Sequence, residues 1–365
     1  MKKFLLGLFM VTMLAACGDN AENSKENEKP VVKIGGVLPL TGSSSSLGEA
    51  QKAGVLAAIK DKTRDENRYL YKAVFEDNQH LPAKSATVAN KFIFQDKVDV
   101  LLTFTTGAGR VVAPIAANSS VLHLCGTLED KGAQSFGDTT FFQGPTIQSY
   151  NEKLINILNK RGVKKIAMFA SNFGVACIGT ERLAASLRQQ GMDVKTECFN
   201  PSDRDFRVTI QSSITQGFDN FYLQFFPPQT DIFVRQLKEQ NIAPEHIYGS
   251  GIDTGSDISI FEGINHLGGA SGTPAFVDRL MSEYDIDNVY MAAATYDLIS
   301  LAIDAFEKSS TSDKKPTIDE LISYVRANAT GKCMSGYCDL LANGFIANEA
   351  QLRTYRNGKP VPLEE

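Results

Sequence analysis

Small hydroxyl residues and glycines fall just beyond the ends of successive apolar runs. Ser43 to Ser46 follow Val31 to Leu38, Thr105-Thr106-Gly107 follows Val98 to Phe104, and Gly126-Thr127 follows Val121 to Leu124. Hydroxyls and bare backbone amides at helix N-termini bind a carboxylate, because several donors converge on it and the helix dipole adds attraction. Any one of these groups also serves as an ordinary turn or N-cap. Their repetition at successive strand ends points to a binding site that includes Ser45, Ser46, Thr105, Thr106, Gly126 and Thr127.

Residues for other chemistry are scarce. Gly35-Gly36 followed by Thr41-Gly42 does not make Gly-x-Gly-x-x-Gly, and there is no phosphate loop and no Gly-x-Ser-x-Gly elbow. The acid pairs Glu76-Asp77 and Glu129-Asp130 imply no partner and read as solvated loop ends or caps. His80, His123, His246 and His266 are scattered, without metal-ligand spacing, and read as structural or exposed. The expectation is a protein that is not an enzyme and uses no metal or cofactor.

Strand-end groups make a site only if a scaffold brings the strand ends to one rim. Strand-length runs at Val31 to Leu38, Tyr69 to Phe75, Val98 to Phe104 and Val121 to Leu124 alternate with helix-length segments, which predicts a parallel sheet with crossover helices. The first crossover, Leu47 to Ile59, has a small-residue face (Leu47, Ala50, Gly54, Ala57, Ala58) suited to close packing on a sheet, and the second, Pro82 to Phe94, opens with proline. After Gly144-Pro145 the alternation repeats, with strands at Lys165 to Ala170, Asp193 to Phe199, Asn220 to Phe225 and His246 to Gly249. Helices are expected near 176 to 190, 204 to 216 and 229 to 240. Two wound α/β units imply two Rossmann-like lobes joined by a multi-strand hinge, with ligand bound between the facing strand ends. Helices at Val289 to Lys308 and Pro316 to Asn328 come after both units and are expected to return to the first lobe. The predicted organisation is lobe 1 at 31–145 with 270–340, and lobe 2 at 146–269 with 341–365.

The N-terminus reads as an address. Lys2 and Lys3 precede the apolar run Phe4 to Ala16, which stops at Leu14-Ala15-Ala16-Cys17, so 1–16 is expected to be an export signal too short to span a bilayer. Cleavage there leaves Cys17 for lipid attachment, a pattern that resembles the bacterial lipoprotein lipobox, and 17–30 is a polar, solvated tether. The remaining body, about 335 residues, carries no second stretch expected to cross a membrane. Without the signal, 35 basic residues face 42 acidic ones, interspersed and without a basic stripe, which argues against nucleic acid. Export permits disulfides. Cys333 and Cys338 enclose only Met-Ser-Gly-Tyr and are expected to pair; Cys177 and Cys198 pair if the loop after one strand meets the end of the next.

From Val31 to the C-terminus the chain resembles the type I periplasmic (leucine/isoleucine/valine-binding-like) solute-binding proteins of branched-chain amino-acid ABC transporters. The likeness is carried by Ile34-Gly35-Gly36-Val37-Leu38-Pro39-Leu40-Thr41-Gly42 with Leu47-Gly48, then Glu76-Asp77-Asn78, Val98-Asp99-Val100, Ala113-Pro114-Ile115-Ala116, Asn172-Phe173-Gly174, Asp205-Phe206 and Tyr296-Asp297, in that order. The resemblance implies that Thr106 binds the ligand carboxylate, that Thr127 shares it and that the Cys125 carbonyl faces the ammonium. It further implies Phe173 as the aromatic the second lobe closes over the ligand, Phe225 or Phe226 as the next contact, and Asp253 as a negative charge for the ammonium. Departures lie at Leu47, where an aromatic is common, at Thr103-Phe104 in place of Gly-Pro, at Phe142-Gln143-Gly144, which lacks an arginine, and in a shortened 263–274.

The expected function is an extracytoplasmic, lipid-anchored monomer that captures a small amino acid or related carboxylate and delivers it to an ABC permease, touching the membrane only through its anchor. A tethered scaffold or regulator that binds a protein partner, or a ligand sensor, is the alternative, since a fold does not dictate a function.

Overall fold

A computed structural model describes residues 29–42, 44–127, 136–173, 176–250, 258–286, 289–309 and 314–363. The chain begins with β1 (Val31–Leu38), α1 (Ser45–Lys62), β2 (Leu70–Asp77), α2 (Pro82–Lys91), β3 (Val100–Phe104), α3 (Thr106–Asn118), β4 (Leu122–Gly126) and β5 (Thr140–Gly144). It continues with α4 (Ile147–Lys160), β6 (Lys165–Ser171), α5 (Ala176–Gln189), β7 (Asp193–Phe199), α6 (Arg207–Thr215), β8 (Phe221–Gln224), α7 (Gln229–Glu239), β9 (Ile247–Ser250) and β10 (Asn265–Gly269). The last part holds α8 (Pro274–Tyr284), α9 (Val289–Lys308), α10 (Ile318–Asn328), β11 (Gly331–Cys333), β12 (Gly336–Leu340), β13 (Phe345–Asn348), β14 (Ala350–Arg356) and β15 (Lys359–Pro362).

Two sheets form. The first runs β11-β12-β13-β5-β4-β3-β1-β2 and the second β15-β14-β10-β9-β8-β6-β7. Within each, five parallel strands share the same winding, β2-β1-β3-β4-β5 and β7-β6-β8-β9-β10, so each has a switch point where the order reverses, between β1 and β3 and between β6 and β8. Parallel strands buried on both faces need continuous apolar runs, and β3, β4 and β5 are buried almost throughout. Antiparallel strands extend one edge of each sheet: β11 and β12 in the first, β14 and β15 in the second.

The chain passes between the sheets three times: from β5 to α4, from β10 to α8, and from β13 to β14. Phe345–Asn348 pairs with β5, so the last passage starts at Glu349 and residues 341–348 belong with the first sheet, where sequence patterning assigned them to the second lobe. Helix α9 is long and apolar enough to cross a membrane by length and composition, contrary to the sequence expectation, but it is mostly buried in the first lobe. There Leu298, Ile299, Ala302 and Ile303 meet Val32, Val100 and Leu124. The small-residue face of α1 packs on α9 as well as on the sheet, Ala50, Ala53 and Ala57 lying against Ala292 and Ala293. The second core is aromatic: the Phe225 ring lies 5.7 Å from Phe206 and 5.0 Å from Phe233, and Phe206 lies 4.7 Å from Phe233.

Candidate functional site

The switch point of the first sheet is occupied by the loop after β1 and the loop from β3 into α3. Thr105, at the junction, has φ +76° and ψ 149°, a conformation that costs a β-branched residue about 1–3 kcal/mol. It is held there because its amide donates to the Gly126 carbonyl at 2.9 Å and its hydroxyl accepts from the Ala108 amide at 3.4 Å. The outcome is that α3 starts at Thr106, whose hydroxyl meets that of Thr127, just past β4, at 2.8 Å. Two hydroxyls from adjacent strand ends thus share one point at the N-terminus of a 13-residue helix, the arrangement suited to a carboxylate. Thr105→Gly is expected to raise unfolding stability by about 1 kcal/mol by removing the positive-φ strain; an unchanged or lower urea midpoint would show that the lost N-cap bond and the chain entropy of glycine outweigh that strain.

The loop after β1 is tied to the loop after β2 through Asp77. Burial pushes its carboxyl up, but the Thr41 hydroxyl and the amides of Gln79, Leu40 and Thr41 outweigh this and hold it below the usual range. Ser44 then reaches His80 Nδ1 at 2.7 Å. Burial lowers the His80 pKa, so the ring is neutral at physiological pH. His80 lies 6.4 Å from Phe104 of the first lobe and 6.1 Å, edge-on, from Phe173 of the second; Phe173 in turn lies 5.7 Å from Phe226. Two aromatic rings from each lobe therefore meet between the sheets. Phe173 is 48% exposed, unusual for a large apolar side chain and consistent with a surface that receives something.

A family model described as periplasmic binding protein matches residues 31–335. The chain belongs to the periplasmic binding protein family. It is 24% identical over 236 residues to the Leu/Ile/Val-binding protein homolog 2 of Brucella abortus, a match covering 60% of this chain and 61% of that protein; the chain thus spans about three fifths of that relative's length. It is 21% identical over 326 residues, 82% of this chain and 84% of the relative, to the leucine-, isoleucine-, valine-, threonine-, and alanine-binding protein of Pseudomonas aeruginosa. Among solved structures, a leucine binding protein from Thermotoga maritima superposes with a TM-score of 0.77 at 19% identity, covering 92% of this chain and 98% of that one. A solute binding protein from R. palustris in complex with 4-hydroxybenzoate gives 0.77 at 16% identity, covering 92% and 96%. The structural likenesses establish the two-lobed fold, and membership of a family of periplasmic binding proteins implies a place outside the cytoplasm.

The fold separates the residues singled out by sequence. Thr105, Thr106, Gly126 and Thr127 come together at the switch point. Ser45 and Ser46 open α1, with the Ser46 hydroxyl buried and unpartnered, while the neighbouring Ser44 makes the contact to His80. Cys125 is set back from the rim: its backbone lies between Thr103 and Phe142 in the ladder, and burial pushes its thiol up to about 12 despite a hydrogen bond with Thr103. Phe173 faces the first lobe. Phe225 does not: it is 2% exposed in the aromatic core, and strand alternation turns Phe226 toward Phe173 instead. Asp253 and Cys17 lie outside the described residues.

His80 and Phe104 join the site without having been marked for it by residue type or spacing. Scattered spacing reads His80 as structural or exposed, yet it comes just after the Asp77-Asn78 end of β2 and so shares the rim; that position after a strand was the available signal. His123, by contrast, is structural, bridging Thr103 at 2.8 Å and Thr140 at 3.1 Å, with burial lowering its pKa to about 3. Disulfides join Cys177 to Cys198 and Cys333 to Cys338. Asp297 lies close to the latter pair, but sulfurs bonded to each other do not ligate a metal. A cavity of about 600 Å³ lined by Lys62, Gln143, Asp297, Ser300, Cys338 and Ile346 sits against α9 and α10, apart from the threonine pair.

Proposed function

We propose that the protein is a solute receptor that captures a small amino acid or related carboxylate between its lobes and delivers it, as a monomer lipid-anchored through Cys17, to an ABC permease. The observation that carries this is the 2.8 Å pairing of the Thr106 and Thr127 hydroxyls at the switch point of the first sheet. The pair receives the carboxylate, and His80, Phe104, Phe173 and Phe226 pack on the remainder of the ligand. Names of relatives that bind leucine, isoleucine and valine, and a neighbour holding 4-hydroxybenzoate, support a carboxylate as the shared feature. The ligand favours closure because both lobes touch it only when they approach, which makes the closed form the signal read by the permease.

Thermal shift with amino acids and aromatic acids tests the reading: a ligand at a hundredfold excess over its Kd adds about 2.7 kcal/mol. Thr106→Ala and Thr127→Ala are each expected to weaken binding of the responding acid about tenfold, a lost hydrogen bond to a charged group, while the ligand-free protein stays folded. Wild-type affinity in both variants would remove the threonine pair from the site.

A further inference from the structure

Strand β14 carries an arginine into the protein interior. Arg353 is 1% exposed, and an arginine keeps its proton in proteins, so its charge is fixed. No Asp or Glu among the described residues forms an ion pair with it. Its Nη1 donates to the Ser271 hydroxyl, and the guanidinium lies 5.8 Å from the centre of the Tyr290 ring. Nε and Nη2 have no partner. Those two nitrogens form one edge of the guanidinium, and two parallel N–H groups on one edge match the two oxygens of a carboxylate. His266, opposite Arg353 in the β10–β14 ladder, is buried with both nitrogens unpartnered, and burial together with Arg353 holds its pKa well below the usual value, so it adds no second positive charge.

The surroundings make room for this side chain. A Cβ on Gly268 would come 1.7 Å from Arg353 Nη2, and one on Gly269 would come 2.0 Å from the Tyr290 ring. Only consecutive glycines at the end of β10 admit both groups. That end is also the rim of the second sheet, since β10 runs parallel to β9 and β9 to β8. Tyr290 links it to the threonine pair: a Cβ on Gly144 would lie 3.6 Å from the Tyr290 hydroxyl and 2.0 Å from the Thr127 carbonyl. Arg353 and Thr127 therefore flank Tyr290 where the chain passes between the lobes.

We infer that the ligand carries a second acidic group and that the Nε and Nη2 edge of Arg353 receives it, which makes the solute a dicarboxylate or acidic amino acid. This rests on the reading of Thr106 and Thr127 as the clamp for the first carboxylate. A fixed charge buried without a counter-ion destabilises the unliganded protein, and the second carboxylate supplies the missing partner.

The test uses the full chain and calorimetric titration with L-glutamate and succinate against L-isoleucine and 4-hydroxybenzoate, on wild type, Arg353→Met, Arg353→Lys and Thr106→Ala. A dicarboxylate is expected to bind wild type more tightly than either monocarboxylate, about 100-fold more weakly to Arg353→Met, and about tenfold more weakly to Arg353→Lys, which keeps the charge but not the fork. Without ligand, Arg353→Met is expected to melt a few degrees higher than wild type. The inference is overturned if no dicarboxylate binds wild type, if Arg353→Met and Arg353→Lys bind it unchanged, or if ligand-free Arg353→Met melts lower. Isoleucine binding lost in Thr106→Ala but kept in both Arg353 variants, without dicarboxylate binding, sinks this inference and leaves the cleft reading standing. Dicarboxylate binding lost in the Arg353 variants and kept in Thr106→Ala sinks the threonine clamp alone.

Discussion

Asp297→Ala is expected to lower unfolding stability by about 3 kcal/mol, because three buried or half-buried donors lose their acceptor. The Asp297 carboxylate accepts from the Met334 amide at 2.7 Å, the Ser335 amide at 2.8 Å and the Ser335 hydroxyl at 2.6 Å, so it organises the turn between β11 and β12. That turn is closed by the Cys333–Cys338 disulfide and leans on Gln143 of β5, whose amide donates to Ser335 at 3.1 Å. Burial raises the Asp297 pKa against these hydrogen bonds, which lower it. The folded state therefore holds the proton more tightly than the unfolded one, and this contribution to stability is full below the ordinary aspartate value of about 3.9 and is lost as pH rises through the raised value. Urea unfolding from pH 3 to 8 checks both points. A variant with the wild-type midpoint at pH 7 would show that the disulfide alone holds the turn, and a variant with the wild-type pH slope would place the titration elsewhere.

Gly54→Val is expected to cost about 3 kcal/mol by overpacking the contact between α1 and α9. A Cβ at position 54 would lie 2.4 Å from the Ala292 carbonyl oxygen and 2.9 Å from the Thr295 Cβ, and neither backbone nor branched carbon can swing aside. The helices would have to separate, opening the packing of Ala50, Ala53 and Ala57 on α9. Because α9 begins beside Tyr290, the variant also displaces the wall next to Arg353. Its melting temperature is the readout: a value within a degree of wild type would mean that the two helices are not in close approach.

Both substitutions act at contacts that sequence patterning does not show. Asp297 and Ser335 are 38 residues apart, and Gly54 faces a helix in the last quarter of the chain. Periodicity reports which face of an element is apolar, as it did for α1, but gives no information about which distant element covers that face. The same limit explains β5, β10 and the hairpin strands of the C-terminal region, which are short and leave no pattern from which to predict them. Thr140–Gly144 is buried between β4 and β13, and its two aromatic residues carry no alternation to mark it as a strand. Phe225 and Phe226 show the limit at the scale of one residue, since a shift by one along a strand exchanges core for cleft, and only the pairing of β8 with β6 and β9 sets which is which.

By itself the sequence determined the class of the molecule: two wound α/β units, apolar strands ending in hydroxyls and glycines, and no constellation for catalysis. Those properties are local, written in short apolar runs and in the few residues just beyond each. The tertiary structure decided which of the strand-end groups converge. It paired Thr106 with Thr127, brought His80 across to Phe173, set Cys125 and Phe225 back into the interior, and buried Arg353 beside two glycines with one edge of its guanidinium unpaired. Convergence depends on strand order and register, which are set by packing between residues far apart in the chain, and so it became visible only when the chain was folded.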